Sequence, residues 1–212
     1  MFEFQNVKFK NILNIKNLTI SSGKITSIVG ESGSGKTTLI KLLNKMNSPT
    51  EGRILYKGKD LREISSVSLR REVLMLAQSP VAYDGNIRDN LMVGLKFSGK
   101  PPVSDNILKE FIKRSGLIKN LDDPIENLSG GELQRISLIR ILVMNPEVFL
   151  LDEPASALDD ETEKLIINMV VSYVKENNKT MVMVTHSRNM AEEVSDVIIK
   201  LEKNKVLDGG LL

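Results

Sequence analysis

The sequence predicts an α/β fold with a mainly parallel core sheet, because short β-type runs alternate with helical patterns along its 212 residues. One observation is the apolar run 25–29, which stands directly before a glycine-rich turn and a helical run. Another is the return of strand-like runs at 148–151, 180–185 and 197–201, the first two linked by a helical pattern at 162–175. Strands joined by crossover helices usually lie parallel in one sheet, so we expect these runs to form it.

Around the first of these strands, three further runs predict an N-terminal antiparallel layer. The runs 3–9, 18–20 and 54–57 are short, are rich in apolar residues and are punctuated by glycines. At the other end, the last residues resemble a closing hairpin around Asn204, and we expect no further C-terminal domain.

Between residue 79 and about residue 141 the β-type pattern disappears. Helical stretches are separated there by glycine and proline, which predicts an inserted α-helical subdomain. We therefore expect a single domain over 1–212, with 1–78 and 141–212 as the α/β core and its antiparallel layer. The helical subdomain then covers 79–140 and carries a Ser-Gly-Gly motif.

The composition excludes sites built on cysteine and says little about partners. Lys and Arg total 29 against 27 Asp and Glu, a net charge of +2, which is too weak to predict binding to nucleic acid or anionic lipid. The absence of cysteine excludes a disulfide framework and a thiolate metal site, and favours a reducing, cytosolic compartment. No signal peptide is visible, and the apolar runs are far shorter than the roughly 20 residues of a membrane span. We expect any membrane role to come through a partner.

The strongest local pattern is Gly-Glu-Ser-Gly-Ser-Gly-Lys-Thr at 30–37, a phosphate-binding P-loop between a predicted strand and a predicted helix. Its glycines let successive backbone N–H groups point toward a triphosphate. Lys36 suits the β- and γ-phosphates, the Thr37 hydroxyl suits Mg²⁺, and Thr38 can reach the α-phosphate. A Gly/Ser-rich turn without a ligand is the alternative, which the flanking strand and helix disfavour. The predicted ligand-binding residues are Gly30, Glu31, Ser32, Gly33, Ser34, Gly35, Lys36, Thr37 and Thr38.

A second candidate site is the pair of carboxylates that follows the apolar run 148–151. At the carboxyl edge of a parallel sheet, Asp152 would lie beside the P-loop and hold the Mg²⁺ shell through water. Glu153 would face the γ-phosphate and orient or deprotonate the attacking water as a general base. An acidic pair after a strand is otherwise more often a solvated turn or a helix cap, and the P-loop favours the catalytic interpretation.

A third pattern, Leu-Ser-Gly-Gly-Glu at 128–132, opens an apolar-periodic segment and predicts a helix N-terminus. Ser129, Gly130 and Gly131 offer a hydroxyl and exposed amides at the positive end of a helix dipole, which makes a second cradle for phosphate. The simpler alternative is a capped helix start, with Ser129 as N-cap and Glu132 completing a capping box.

These patterns occur in the order found in ABC-type ATPases, and the chain resembles that family over essentially its whole length. The order is the P-loop, Gln78, Leu-Ser-Gly-Gly-Glu, Asp152 with Glu153, Ser-Ala-Leu-Asp at 156–159, and Thr185-His186. The resemblance implies a RecA-like P-loop core, ATP and Mg²⁺ as ligands, and hydrolysis of ATP. Within the family, the chain looks close to the short ATPase subunits of FetA-type metal exporters.

In that family two domains pair head to tail, with ATP between the P-loop of one and the Ser-Gly-Gly motif of the other. The resemblance therefore implies a homodimer, or a paired ATPase subunit. In that pair Ser129, Gly130 and Gly131, followed by Glu132, would bind ATP held by the opposite subunit at its γ-phosphate.

The resemblance also implies roles for polar residues outside these motifs. His186, at a position where a histidine is otherwise usually structural, would contact the γ-phosphate and act in catalysis with Glu153 and Lys36. Gln78 would touch Mg²⁺ or the attacking water and join the core to the helical insertion. The loop 156–159 would cross the dimer interface, although it could simply start a helix.

Two positions depart from the family pattern. The family often has an aromatic residue between its first two strands, where this chain has Lys10 and Asn11 in a shortened loop after Phe9. Phe9 could stack on adenine or belong to the core. Without stacking, most affinity would come from phosphate and Mg²⁺ contacts, and GTP could compete. At Glu132 many members carry Gln, which leaves the Ser-Gly-Gly cradle unchanged.

Transport is the function that the resemblance favours. Such subunits drive a separate transmembrane permease from the cytoplasmic face of the membrane, and the segment 78–90 resembles export-type subunits more than importers. By analogy with the family, a helix of the permease would contact residues 80–83, although this segment could be a plain surface loop. The single short domain argues against translation-factor and chromosome-type relatives.

Two alternatives stay open. A soluble ABC ATPase of a non-transport machine, such as iron–sulfur cluster assembly, would have the same core and soluble partners. An inactive nucleotide sensor would lack the general base or the Ser-Gly-Gly motif, whereas Glu153, His186 and Ser129 are all present.

Overall fold

The computed structural model describes residues 1–202 and the backbone of residues 205–211. The strands in these residues are β1 (Phe2–Phe9), β2 (Leu13–Ile20), β3 (Ile25–Val29), β4 (Glu51–Tyr56), β5 (Lys59–Asp60), β6 (Val73–Leu76), β7 (Val148–Asp152), β8 (Thr180–Val184), β9 (Val197–Glu202) and β10 (Lys205–Leu211). The α-helices are α1 (Lys36–Leu43), α2 (Ser66–Glu72), α3 (Ile87–Ser98), α4 (Asp105–Arg114), α5 (Gly130–Met144), α6 (Asp160–Glu176) and α7 (Arg188–Val194). Short 3-10 turns cover Leu61–Glu63 and Ile125–Asn127.

A six-stranded sheet runs through the centre of the described structure in the order β10-β9-β3-β8-β7-β6. Neighbouring strands are parallel from β9 to β6, and β10 is antiparallel to β9 at one edge. Every position of β7 and β8 is buried, as expected for strands covered on both faces of a sheet. The predicted α/β fold is confirmed. Asn204, the predicted hairpin residue, lies outside the described residues.

The antiparallel layer is a second sheet in the order β2-β1-β4-β5. Its buried apolar side chains form one cluster with α1 and with one face of the large sheet. The predicted layer is confirmed, but β2 begins at Leu13 rather than at residue 18. Exposed Asn14 and Lys16 weaken the apolar signal in the first half of this strand.

Helices α3, α4 and α5 occupy the chain between β6 and β7, where the sequence predicts a helical insertion. α5 packs against α3 and α4 and also against β6 and α6. A second apolar cluster runs from these helices to β7 and β8. α5 therefore joins the helical part of the chain to the core sheet. The expected domain boundaries stay predictions, and α5 itself runs beyond residue 140 to Met144.

The sequence patterns do not predict the short elements α2, α7, β5 and β6. Elements of two to seven residues are too short to show a clear helical or strand period. β6 lies beside β7 at the edge of the large sheet and leads directly to Gln78. No helix among the described residues combines the length and the apolarity that crossing a membrane requires.

Candidate active site

The P-loop curls between β3 and α1 because two of its glycines occupy positions closed to other residues. Gly30 has φ +156°, and a Cβ there would lie 2.1 Å from the Leu201 carbonyl oxygen. Gly35 has φ +102°, and a Cβ there would lie 2.8 Å from Leu13 Cδ2. Close approach of the loop to β9 and β2 therefore requires glycine at both positions.

The interior of the loop suits an anion. The Ser34 side chain is 4% exposed, and its Oγ has no hydrogen-bond partner among the described residues. Lys36 is 5% exposed, and its Nζ donates to the carbonyl oxygens of Gly30 and Glu31, both at 2.9 Å. An unpaired buried hydroxyl and a buried ammonium, at a glycine-rich helix start, fit the phosphates of a nucleotide.

Thr37 and Asp152 meet across the gap between α1 and β7. The Thr37 hydroxyl donates to Asp152 Oδ1 at 3.1 Å. Burial raises the pKa of the Asp152 carboxyl, and the hydrogen bond from Thr37 opposes this shift. A carboxylate and a hydroxyl are hard oxygen ligands of the kind that Mg²⁺ takes, with its other positions left to water and phosphate. In the described part of the chain no group of three or more His, Asp or Glu side chains forms a metal cluster, so the site offers no cage made of protein alone.

The electrostatics of Lys36 depend on the same carboxylates. Burial lowers the pKa of the Lys36 ammonium, whereas the charges of Glu153 and Asp152 raise it. The ammonium therefore lies within electrostatic reach of both carboxylates that follow the apolar run of β7.

Glu153 is the centre of a cluster that brings three predicted catalytic residues together. Gln78 Nε2 donates to Glu153 Oε2 at 2.8 Å, and His186 Nε2 lies 2.7 Å from Glu153 Oε1. The Glu153 side chain is 16% exposed and that of His186 is 53% exposed. Gln78 thus contacts the proposed base rather than the Thr37–Asp152 pair, and its role as a metal ligand stays a prediction.

The backbone of Glu153 is strained. Its φ is +50°, in the left-handed region, which costs a residue other than glycine about 1–3 kcal/mol. The Glu153 N–H donates to the Val184 carbonyl oxygen at 3.1 Å, which ties the turn after β7 to the end of β8. Such strain persists only where surrounding contacts hold it, and the Glu153 carboxylate is held by Gln78 and His186.

The Ser-Gly-Gly motif begins α5 and has the capping geometry of the simpler alternative. The Ser129 N–H donates to Glu132 Oε2 at 2.8 Å, and the Glu132 N–H donates to Ser129 Oγ at 3.3 Å. Lys119 Nζ lies 3.2 Å from the other Glu132 oxygen. Gly130 is exposed and Gly131 is half-buried, and a Cβ on Gly130 would have no atom within 4 Å. No hydrogen bond in the described residues joins this motif to the P-loop.

The loop 156–159 also has a local structural role. Asp159 is the N-cap of α6 and accepts a hydrogen bond from the Thr162 N–H at 3.0 Å. The Ser156 N–H donates to the Glu153 carbonyl oxygen at 3.3 Å, so the loop starts at the strained turn. Its crossing of a dimer interface stays a prediction.

On the side expected for adenine, Phe9 is half-buried and packs against the apolar cluster under the antiparallel sheet. Lys10 Nζ lies 5.3 Å from the centre of its ring. Ile12 lies beside the P-loop, since its Cγ2 would be 3.1 Å from a Cβ on Gly35. The sequence prediction missed Ile12, which the shortness of the loop after Phe9 could have indicated.

Two polar residues of α5 were also missed. Gln134 donates through Nε2 to the Pro154 carbonyl oxygen at 2.7 Å, next to Glu153. Arg140 donates to oxygens of Val81 and Asn90, in the segment that follows Gln78. Polar residues inside an otherwise apolar helical pattern were the available signal.

Several known proteins resemble this chain over most of its length. A family profile described as ABC transporter matches residues 13–156. The probable iron export ATP-binding protein FetA of Escherichia coli (strain K12) is 36% identical over 93% of this chain and 90% of its own length. The methionine import ATP-binding protein MetN of Geobacillus kaustophilus is 34% identical over 91% of this chain and 58% of its own length.

A solved structure resembles the whole chain. It is the dimeric structure of a post-hydrolysis state of an ATP-binding cassette bound to ADP and Pi, with a TM-score of 0.85 and 28% identity over 100% of this chain and 99% of that one. Several other curated relatives are longer, and the chain spans between 16% and 58% of their length.

Proposed function

This chain belongs to the ABC transporter family and is an ABC-type ATPase domain, and we propose that it is the motor subunit of a transporter, working as a head-to-tail pair. The observation that carries the proposal is the contact of the Glu153 carboxylate with both Gln78 and His186. Three polar side chains from three separate segments converge beside the P-loop, where a water attacking the γ-phosphate would lie.

The residues of the P-loop would hold the phosphates of ATP. Lys36 Nζ, now bonded to two carbonyl oxygens of the loop, would exchange them for oxygens of the β- and γ-phosphates. Thr37, Asp152 and Gln78 would hold Mg²⁺, which would neutralise developing phosphate charge. The unpaired Ser34 hydroxyl lies in the same loop.

Glu153 would orient the attacking water and accept its proton. In the described structure both of its oxygens are occupied, by Gln78 and His186. ATP would compete for these two side chains, since the γ-phosphate is the expected partner of His186 and the metal or water that of Gln78. The base would then be released as the site fills.

The Ser-Gly-Gly motif would complete the site of a second copy. Ser129 and Gly130 are exposed at the N-terminus of α5, and the space above Gly130 is open. The γ-phosphate of an ATP bound to the P-loop of a second chain would lie there. Each ATP would then contact the P-loop of one subunit and the motif of the other.

The proposed partner in the membrane is a permease bound beside 80–83. Val81 and Tyr83 are exposed and border an apolar groove of about 280 Å³ between β6 and the helical part. A groove of this kind suits a helix with an apolar face. The chain would then lie on the cytoplasmic face of the membrane. The relatives include one named as an export protein and one named as an import protein. The preference for export in this proposal therefore rests on the segment 78–90 alone.

The proposal is tested by Glu153→Gln, which keeps the size of the side chain and removes the base. We expect ATP binding to persist and hydrolysis to fall by about 10²–10⁴-fold, the usual contribution of general-base catalysis. Sizing chromatography of this variant with ATP and Mg²⁺ should show dimers, because bound ATP that cannot be hydrolysed stabilises the pair. Unchanged turnover would exclude Glu153 as the base, and monomers at saturating ATP would contradict pairing by ATP.

A further inference from the structure

Helix α5 connects the Ser-Gly-Gly motif to residues around Glu153 in the same chain. It starts after Ser129 and continues for 15 residues without interruption to Met144. Gln134 lies about 7 Å and Arg140 about 16 Å along the helix axis from Ser129, at 1.5 Å per residue. Most residues beyond its first turn are buried, so a shift of the motif would move these side chains with it.

Gln134 is the first connection. Its side chain is fully buried, and Nε2 donates to the Pro154 carbonyl oxygen at 2.7 Å. Pro154 directly follows Glu153, whose φ of +50° requires support from its surroundings. The other amide atom, Gln134 Oε1, has no hydrogen-bond partner among the described residues. The bond to the Pro154 carbonyl is therefore the one hydrogen bond that this buried side chain makes in the described structure, and it fixes the amide beside the turn at Glu153.

Arg140 is the second connection. Its Nε donates to the Asn90 carbonyl oxygen at 2.7 Å, its Nη1 to the Val81 carbonyl oxygen at 2.9 Å, and its Nη2 to Asn90 Oδ1 at 3.1 Å. Its guanidinium also lies 5.1 Å from the centre of the Tyr83 ring. No carboxylate pairs with Arg140 in the described part of the chain, so a partly buried cation is satisfied by carbonyl and amide oxygens alone. Burying a cation without a carboxylate partner costs free energy, and the three hydrogen bonds to fixed acceptors offset this cost.

Asn90 extends this connection toward Gln78. It is fully buried, its Oδ1 accepts from the Tyr83 N–H at 2.9 Å, and its Nδ2 donates to the Tyr83 carbonyl oxygen at 2.7 Å. Arg140 and Asn90 together therefore hold both ends of the segment 81–83. This segment begins three residues after Gln78, whose amide contacts Glu153.

We propose that Gln134 and Arg140 are positioning residues through which the helix carrying the Ser-Gly-Gly motif sets the geometry of Glu153 and Gln78 in its own chain. This inference rests on the proposed function. It adds that binding of a partner subunit's ATP to the Ser-Gly-Gly motif changes the geometry of Glu153 in the subunit that carries the motif. The two ATP sites of a pair are thereby coupled within each chain as well as across the interface.

The experiment compares Arg140→Lys with Arg135→Lys in the full chain. Lysine retains the charge of Arg140 but lacks the planar fork that reaches three acceptors. Arg135 is a matched control on the same helix, because its Nη1 donates to the carbonyl oxygens of Ser115 and Gly116, away from Glu153. For Arg140→Lys we expect kcat to fall by about 10- to 100-fold, as misplacement by about 1 Å can cause. KM for ATP should change by less than about threefold, since the P-loop is untouched. Arg135→Lys should leave both within about twofold.

A double-mutant cycle separates positioning from general damage. If Arg140 acts through Gln78, adding Arg140→Lys to Gln78→Ala should cost less than about threefold in kcat. The full loss repeated in that background would overturn the proposal. A loss of the same size in Arg135→Lys, or a raised KM with unchanged kcat, would also overturn it.

Gln134→Met is the second variant, and it decides the question should Arg140→Lys fail to fold. Methionine has a similar length but cannot donate to the Pro154 carbonyl, so kcat should again fall with KM nearly unchanged. A kcat equal to that of the unsubstituted chain would overturn the proposal. If the unsubstituted chain hydrolyses no ATP, the proposed function fails and the inference fails with it. Hydrolysis that is insensitive to these variants overturns the inference alone.

Discussion

The P-loop and the Ser-Gly-Gly motif are both glycine-containing helix starts, yet the structure completes only one of them. In the P-loop, Lys36 and Ser34 are buried, and Thr37 is bonded to Asp152 from β7. The other helix start is exposed, and the hydrogen bonds of Ser129 described above stay within the first turn of α5. The predicted phosphate cradle of the P-loop is therefore assembled from contacts within a single chain, whereas Ser129 and Gly130 of the other helix start are exposed.

This difference shows that local sequence alone does not indicate how a helix N-terminus is used. The dipole and the free amides are similar in both places, since every helix start has them. What separates the two is that a distant segment, the end of β7, brings Asp152 to Thr37 and Glu153 within electrostatic reach of Lys36. The charged neighbours described for the Ser-Gly-Gly motif are Glu132 of its own turn and Lys119, and the proposed partner would supply the P-loop and Glu153.

The largest loss of ATP hydrolysis is expected when each of the two helix starts is disabled separately. We expect Lys36→Ala and Ser129→Arg each to reduce hydrolysis by at least about 10²-fold, the cost of removing one important contact to transition-state charge. An equimolar mixture of the two variants should recover activity, because mixed pairs contain one site with an intact Lys36 and an intact Ser129. ATP hydrolysis by the mixture, measured against each variant alone, checks this.

An inert mixture of two correctly folded variants would contradict shared sites. A control mixture of Lys36→Ala with Lys36→Ala,Ser129→Arg should stay inert under every version of the proposal, since no intact Lys36 is present.

A smaller effect concerns the base of the nucleotide, where neither region supplies an aromatic platform. Phe9 packs partly into the core, and Lys10 lies near its ring. Because phosphate contacts at the P-loop would dominate affinity, we expect kcat/KM for GTP to lie within about tenfold of that for ATP, a difference of roughly 1.4 kcal/mol. Steady-state rates with each nucleotide measure the ratio. A preference for ATP beyond about 100-fold would show that Phe9 or Ile12 recognises adenine after all.

The smallest effect is expected at Glu132, whose carboxylate caps the exposed helix start by accepting from the Ser129 N–H. The backbone N–H of Ser129 is the main group that lowers the pKa of Glu132, and Lys119 adds to it. A lowered folded-state pKa means that the carboxylate stabilises the protein above its unfolded pKa, and that this stabilisation is lost as the pH falls through the folded pKa. Glu132→Gln keeps an oxygen for the Ser129 N–H but loses the charge opposite Lys119.

We therefore expect Glu132→Gln to reduce the free energy of unfolding by about 0.5 kcal/mol at pH 7, and by less near pH 4, with hydrolysis within about twofold of the unsubstituted chain. Urea unfolding at both pH values and an ATPase assay check this. A large loss of hydrolysis with unchanged stability would show that Glu132 itself contacts the nucleotide.

Much of the fold could be predicted because its signals are local. β3, β7 and β8 are mainly apolar strands of five residues, and the observed strands agree with the predicted ones to within one residue. β6 and α7 were missed because elements of four and seven residues carry too little periodicity. β6 is a strand only because β7 offers it a parallel partner.

The fold class, the P-loop and most of the candidate site residues could be predicted from the sequence, since strand runs, glycine turns and motif spacing are properties of neighbouring residues. Only the tertiary structure decided that Gln78 and His186 both contact Glu153, that Glu153 has a positive φ, and that Gln134 and Arg140 reach from α5 to this region. These contacts join segments far apart in the chain. They depend on the order of strands in the sheet and on the path of α5 beneath the site, which no local pattern contains.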